Sequence, residues 1–212
     1  MVRFVLAAAL VVPAVVFAAG GSSGDLFTQG DASAGAKDVT TCVECHGPSG
    51  NGSVSPTFPK LADQGSAYIF EQLNEFKLKT RTNTIMNIQA GSLSEQQMRD
   101  IAAYFAAQAF VPGVASADSV EVAQPLYRGG DPERGVPACA ACHGPAGQGN
   151  PAAAYPRIGG QNGAYVAVQL KAYKDGSRGS ANAKGLIMQK IAAKLTDQEI
   201  QALSAYVSGL RQ

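Results

Sequence analysis

Tryptophan is absent from this chain of 212 residues, and histidine nearly so: only His46 and His143 occur. A nucleophile–base pair for catalysis is hard to build without a histidine or cysteine to spare, and this chain has few of either. An excess of charge of one sign is also missing. Seventeen Lys and Arg stand against 16 Asp and Glu, a formal net charge of +1. With no nucleic-acid motif either, that balance excludes the basic footprint of a nucleic-acid binder. Long apolar runs are lacking beyond the N-terminus, and a membrane-spanning helix needs about 20 consecutive apolar residues. The one apolar run is Phe4–Phe17, preceded by Arg3 and followed by Ala18-Ala19-Gly20-Gly21. It reads as a secretory signal peptide over residues 1–20, cleaved after Ala18 or within the next two residues. The mature protein is therefore expected to be soluble and exported to the periplasm.

All four cysteines and both histidines fall in one pentapeptide that occurs twice. Cys42-Val43-Glu44-Cys45-His46 and Cys139-Ala140-Ala141-Cys142-His143 are both C-x-x-C-H, the attachment signature of c-type haem. The two thiols lie one helical turn apart, a spacing that suits thioethers to the two vinyl groups of one porphyrin. The adjacent His then serves as the iron's proximal ligand. A four-Cys zinc site usually has its pairs about 15–20 residues apart, whereas these are 97 apart. A thioredoxin-like dithiol would want a βαβ setting, and no such alternation is present. The cysteines are not a disulfide framework, despite the oxidising compartment expected. Two motifs imply two covalently bound haem c groups, with Cys42, Cys45, Cys139 and Cys142 as attachment points.

The chain is a duplication. Residues 42–77 align with 139–174 without a gap, and 14 of 36 positions are identical, among them Pro59/Pro156, Gln64/Gln161, Tyr68/Tyr165 and Gln72/Gln169. Upstream, Gly30-Asp31 followed by Gly35 echoes Gly130-Asp131 followed by Gly135. Downstream the offset grows from 97 to 102, so the second copy carries five extra residues around Gly176–Lys184. Each copy predicts the same helical order and an all-α fold. A short helix ends at the motif, and an irregular Gly/Pro-rich loop follows. A middle helix is N-capped by Ser66 or Asn162, with apolar residues Ile69, Leu73 and Phe76, or Val166, Leu170 and Tyr173, on one face. Capping boxes at Ser94…Gln97 and Thr196…Glu199 open a last helix. The expected division is an N-terminal domain over 25–110, a linker over 111–125 that is ordered or semi-extended, and a C-terminal domain over 126–212.

Each iron needs a ligand opposite His46 or His143, and no His or Cys remains, so the choices are Met, Lys, Tyr or an open site. Met86 and Met188 are repeat-equivalent, each seven residues before the Leu that precedes the capped last helix. Both fall in segments without a regular pattern and are expected on loops. Met98 has Ile200 as its counterpart and lies within a helical apolar stripe, so it reads as core. Met86 and Met188 are the expected sixth ligands. A thioether stabilises ferrous iron, raising the potential, and a six-coordinate iron leaves substrate no place to bind. Both consequences point to outer-sphere electron transfer rather than an enzyme.

Two C-x-x-C-H-G-P-x-G-x-G motifs in tandem, each followed by a Pro, a Q-x-x-x-Y helix start and a later Met, resemble the dihaem cytochrome c4 family over nearly the whole mature chain. The resemblance implies two class I cytochrome c domains about a pseudo-twofold axis, with their haem propionates close together. It also implies a periplasmic carrier, free or peripherally associated with a membrane. Such a carrier takes electrons from a quinol-oxidising complex or other donor and passes them toward a terminal oxidase in a respiratory chain. The alternatives are an electron-transfer subunit of a larger periplasmic oxidoreductase, or a dihaem peroxidase with one displaceable ligand. Charge divides the copies. Residues 25–113 hold 6 basic and 9 acidic side chains, a net of −3, and residues 114–212 hold 10 and 7, a net of +3. That polarity suits end-on steering toward differently charged redox partners.

Overall fold

In the computed structural model, which describes residues 25–52 and 54–211, regular structure is almost wholly helical. The signal-peptide expectation lies outside the described residues. The first copy contributes α1 (Ala32–Asp38), α2 (Thr40–His46), α3 (Ser66–Lys77), α4 (Thr84–Gly91) and α5 (Glu95–Ala106). The second contributes α6 (Ala117–Gly129), α7 (Ala140–His143), α8 (Gly163–Lys174), α9 (Ala183–Ala192) and α10 (Asp197–Ser208). Among the described residues the only strand-like features are two isolated bridges, Asp131–Val136 and Asn150–Tyr155.

Each copy has its own core. One cluster gathers Val39, Ile69, Leu73, Phe76, Ala90, Met98, Ile101, Ala102 and Phe105. The other gathers Ala123, Leu126, Tyr127, Val136, Ala167, Leu195, Ile200, Leu203, Tyr206 and Val207. The expected stripes of the last helices, Ile101–Ala102–Phe105 and Ile200–Leu203–Val207, are buried in these cores. Both capping boxes form: the Ser94 and Thr196 hydroxyls accept from the backbone N–H of Gln97 and Glu199, whose side chains reach back. Met98 is 1% exposed and belongs to the core, as Ile200 does in the second copy.

Two local expectations are corrected, and one sequence echo has no structural counterpart. The linker over 111–125 is in large part helix: α6 begins at Ala117 and packs on α10, burying Ala123, Leu126 and Tyr127 in the second core. Its small residues and Pro125 hide an apolar stripe at helical spacing. Asn162 holds the N-cap position of α8 as expected and Gly65 holds that of α3 in place of Ser66, but neither the Ser66 nor the Asn162 side chain makes the capping bond. The Ser66 hydroxyl donates to Asp25 (2.8 Å), and the Asn162 amide donates across the molecule to the Phe58 carbonyl (2.6 Å). The Gly-Asp echo upstream is not structural equivalence. Asp31 caps α1, whereas Asp131 closes a turn after α6 through two backbone bonds to Val136.

The halves join through bonds that repeat the sequence symmetry. Gln161 accepts from the Lys60 N–H (2.7 Å) and donates to its carbonyl (2.9 Å), while Gln64 does the same with Arg157 (2.8 and 2.9 Å). Such reciprocal pairs are the mark of an isologous, twofold-like contact. The five extra residues break the symmetry. They bring Asn182 and the first turn of α9 against α3, where Asn182 donates to Glu75 (2.5 Å) and Lys184 pairs with Glu71 (2.7 Å). The α8 positions equivalent to Glu71 and Glu75 are Val168 and Ala172, so no matching clasp exists on the other side.

Candidate functional site

Both motifs, both Met candidates and the interface residues line one cavity of about 720 Å³. Each His stands on the last residue of a helix that a glycine ends. Gly47 and Gly144 both sit at φ +81°, a left-handed conformation costly for other residues, and their N–H groups close α2 and α7 on Val43 and Ala140. The loop then folds back until the Pro59 carbonyl lies 2.8 Å from His46 Nδ1 and the Pro156 carbonyl 2.9 Å from His143 Nδ1. A carbonyl only accepts, so Nδ1 carries the proton and Nε2 is left with its lone pair. That is the second-sphere arrangement which orients a metal-ligating imidazole. Both rings are buried, and burial lowers their pKa, favouring the neutral form a metal needs.

No disulfide joins any of the four cysteines. Burial pushes the Cys42 thiol up and that of Cys139 up to about 11. A redox dithiol depends on a lowered thiol pKa, so the environment opposes that reading. Among the described residues no three His, Cys, Asp or Glu side chains cluster as metal ligands, which is also the wrong pattern for structural zinc. The pairs fit haem attachment: thiols beside a buried, tautomer-fixed imidazole, on the wall of a cavity lined by Ile69, Leu73, Phe76, Val166, Leu170 and Leu203.

Met86 and Met188 both line this cavity and are half-buried. Neither lies on a loop, which corrects the expectation. Met86 is in the first turn of α4, where the Asn83 side chain accepts from the N–H of Ile85 (3.1 Å) and Met86 (2.9 Å). Met188 lies in mid-α9, whose cap Asn182 accepts from Gly185 (2.8 Å). Both helices are short and only weakly amphipathic, so periodicity hid them, yet the caps Asn83 and Asn182 were visible in the sequence. The competing cavity-lining amines are engaged. Lys60 donates to the Val111 carbonyl (2.8 Å) and Lys184 to Glu71. Tyr68 and Tyr165 accept from arginines.

A model of the family described as Cytochrome c matches the chain twice, over residues 32–108 and 136–211. Cytochrome c4 of Azotobacter vinelandii is 41% identical over 199 residues, covering 90% of this chain and 94% of that protein. The crystal structure of reduced recombinant cytochrome c4 from Pseudomonas stutzeri aligns with a TM-score of 0.82 at 41% identity, over 86% of this chain and all of that one. A protein named thiosulfate dehydrogenase electron acceptor, from Stutzerimonas stutzeri (strain A1501), is 35% identical over 88% of this chain and 85% of its own length.

Proposed function

Because this chain belongs to the cytochrome c family, and within it to the cytochromes c4, we propose that it carries electrons in a respiratory chain outside the cytoplasm, toward a terminal oxidase. It is an electron carrier, not an enzyme, built as two class I cytochrome c domains with two covalently bound haem c groups. Haem iron supplies reversible one-electron chemistry. In this reading Cys42 and Cys45 would hold one group by thioethers, with His46 and Met86 as the ligands of its iron. Cys139 and Cys142 would hold the other, with His143 and Met188.

The observation that supports this most is the doubled wall. In each half an imidazole with its Nδ1 proton tied to a proline carbonyl shares the cavity with one thioether on a capped helix. The protein's part is to present neutral Nε2 and sulfur, exclude water, and leave no coordination position for a substrate. The periplasmic location follows the N-terminal pattern of residues 1–20. Among the described residues no helix is long and apolar enough to cross a membrane. Reduced protein added to oxidase-containing membranes should be reoxidised with matching oxygen uptake. Turnover no faster than for free haem peptide would remove the terminal oxidase from the account.

A second reading is supported by the relative named thiosulfate dehydrogenase electron acceptor. Here the chain receives electrons from a periplasmic oxidoreductase. Rapid reduction by such an enzyme with its substrate, and co-elution of the two proteins, would favour it.

A further inference from the structure

The Pro59–Lys60 and Pro156–Arg157 peptide groups each face two ways. The Pro59 carbonyl accepts the His46 Nδ1–H (2.8 Å). The N–H of the same peptide group, carried by Lys60, donates to Oε1 of Gln161 in the other half (2.7 Å). The second copy repeats this. The Pro156 carbonyl accepts the His143 Nδ1–H (2.9 Å), and the Arg157 N–H donates to Oε1 of Gln64 in the first half (2.8 Å). A trans peptide is one planar resonance unit whose C=O and N–H point to opposite sides. Each buried imidazole is therefore one peptide group away from a glutamine of the opposite half.

The glutamines are placed to act on that unit. Gln64 and Gln161 are 6% and 7% exposed. Each is held by three bonds: Oε1 also accepts the N–H of the next residue, Gly65 (3.0 Å) or Asn162 (2.9 Å), and Nε2 donates to the Arg157 or Lys60 carbonyl (2.9 Å each). Oε1 thus faces two N–H donors and Nε2 a carbonyl, so each amide has one orientation. Hydrogen bonds in a chain polarise one another, by about 10–30% per bond. An acceptor at the peptide N–H puts more negative charge on the carbonyl oxygen of the same unit. That oxygen then holds the imidazole N–H more strongly, and the ring becomes more basic at Nε2, the atom left to bind a metal.

We propose that Gln64 and Gln161 are positioning residues for the irons of the opposite halves. Each strengthens the proximal imidazole across the junction through one peptide group, so that the contact between the halves tunes both reduction potentials. A more basic imidazole favours oxidised iron, so each glutamine lowers the potential of the half it does not belong to. The inference rests on the reading of His46 and His143 as iron ligands, and not on the identity of donor or acceptor.

The test is Gln161→Met and Gln64→Met in the holoprotein. Methionine keeps the length of the side chain but accepts only weakly. Proton–nitrogen correlation NMR of the reduced protein reads the two imidazole Nδ1–H groups, and spectropotentiometry reads the couples. The rings are told apart by their neighbours, Phe58 beside His46 (centroids 6.2 Å apart) and Tyr155 beside His143 (6.4 Å). Gln161→Met should move the His46 Nδ1–H upfield and leave that of His143, and Gln64→Met should do the reverse. In each variant one couple should rise, changing the reduced-to-oxidised ratio at fixed potential by about threefold, which is about 28 mV for one electron. Gln161→Glu offers the Lys60 N–H a stronger, charged acceptor of the same size. It should move the His46 proton downfield, and it serves where a Met variant does not assemble. A response of the imidazole in the glutamine's own half, of both imidazoles equally, or of neither would overturn the proposal. So would a couple that falls while both Nδ1–H resonances stay in place, since that is water reaching a loosened haem site. Wild-type imidazoles without the large ring-current shifts of iron-bound rings would remove the ligand reading and the relay with it. Iron-bound rings without the crossed response would remove the relay alone.

Discussion

Replacing Gln64 by alanine should loosen the contact between the halves more than any single surface change. Gln64 is 6% exposed, and its amide both donates to the Arg157 carbonyl (2.9 Å) and accepts the Arg157 N–H (2.8 Å). Alanine removes both partners and leaves two backbone groups unpaired in a half-buried interface. An unsatisfied buried polar group costs about 1–3 kcal/mol, so with partial water access the loss should be about 2–4 kcal/mol. The repeat-equivalent Gln161→Ala strips Lys60 of the same two bonds (2.7 and 2.9 Å) and should cost about as much. Because both act on one interface, their effects should not simply add. Chemical denaturation of the holoprotein, followed at each haem, is the assay. The single variants should unfold at lower denaturant, and the double variant should resolve into two transitions as the halves uncouple. Changes within about 0.5 kcal/mol for both singles, the range of ordinary surface substitutions, would refute the reasoning.

Met86→Ala and Met188→Ala should each abolish the ferric Met/His near-infrared band at one haem and lower that couple, because sulfur favours ferrous iron; a band at full intensity in either variant rejects the ligand. Met98→Ala should leave the band intact and cost about 2–5 kcal/mol of stability, the usual range for emptying a buried Met site. The Lys184–Glu71 pair, about one-third exposed on each side, should contribute only about 0.2–1 kcal/mol and fade with salt, so Lys184→Met is expected to be nearly silent in unfolding at high ionic strength. Glu199 and Asp131 have pKa values lowered chiefly by hydrogen bonds from Arg134. Their contribution is thus complete above the ordinary carboxylate pKa and lost as pH falls through the lowered values. Arg134→Met should flatten that acid limb of the stability curve, and an unchanged limb would contradict it. Residues 82–94 around Met86 carry no charge, whereas Lys184, Lys190 and Lys194 flank Met188. Reversing the exposed Lys171 and Lys190 should therefore slow transfer to an acidic partner at the second half, with a salt dependence set by a Debye length of about 10 Å at 0.1 M. Partners at the first half should show almost none of it in stopped-flow rates.

The chemistry was legible because it is local. C-x-x-C-H places thiols and imidazole on one helical turn, and the duplication states it twice. The capping boxes at Ser94 and Thr196 and the stripe of the last helix were equally plain. What escaped depends on contacts between segments. Helix α6 looks like a linker because Ala, Ser and Pro125 mask a stripe that only the second core makes meaningful. The helices bearing Met86 and Met188 are too short for a period to emerge, and only their Asn caps announce them. Ser66 and Asn162 are good N-cap residues by type, but tertiary partners claimed their side chains. The interface was half visible: Gln64, Tyr68 and Gln72 recur at 161, 165 and 169. Spacing alone could not say that these polar residues turn toward Lys60, Arg81, Arg157 and Arg178 in the other half.

One measurement bears most directly on the central claim, a potentiometric titration of the mature protein followed by visible and near-infrared spectra. Two one-electron couples should appear, each low-spin, each with the ferric thioether band, and neither binding carbon monoxide rapidly when reduced. A single couple, or one haem that lacks the band and takes up carbon monoxide at once, would contradict a carrier with two Met/His irons.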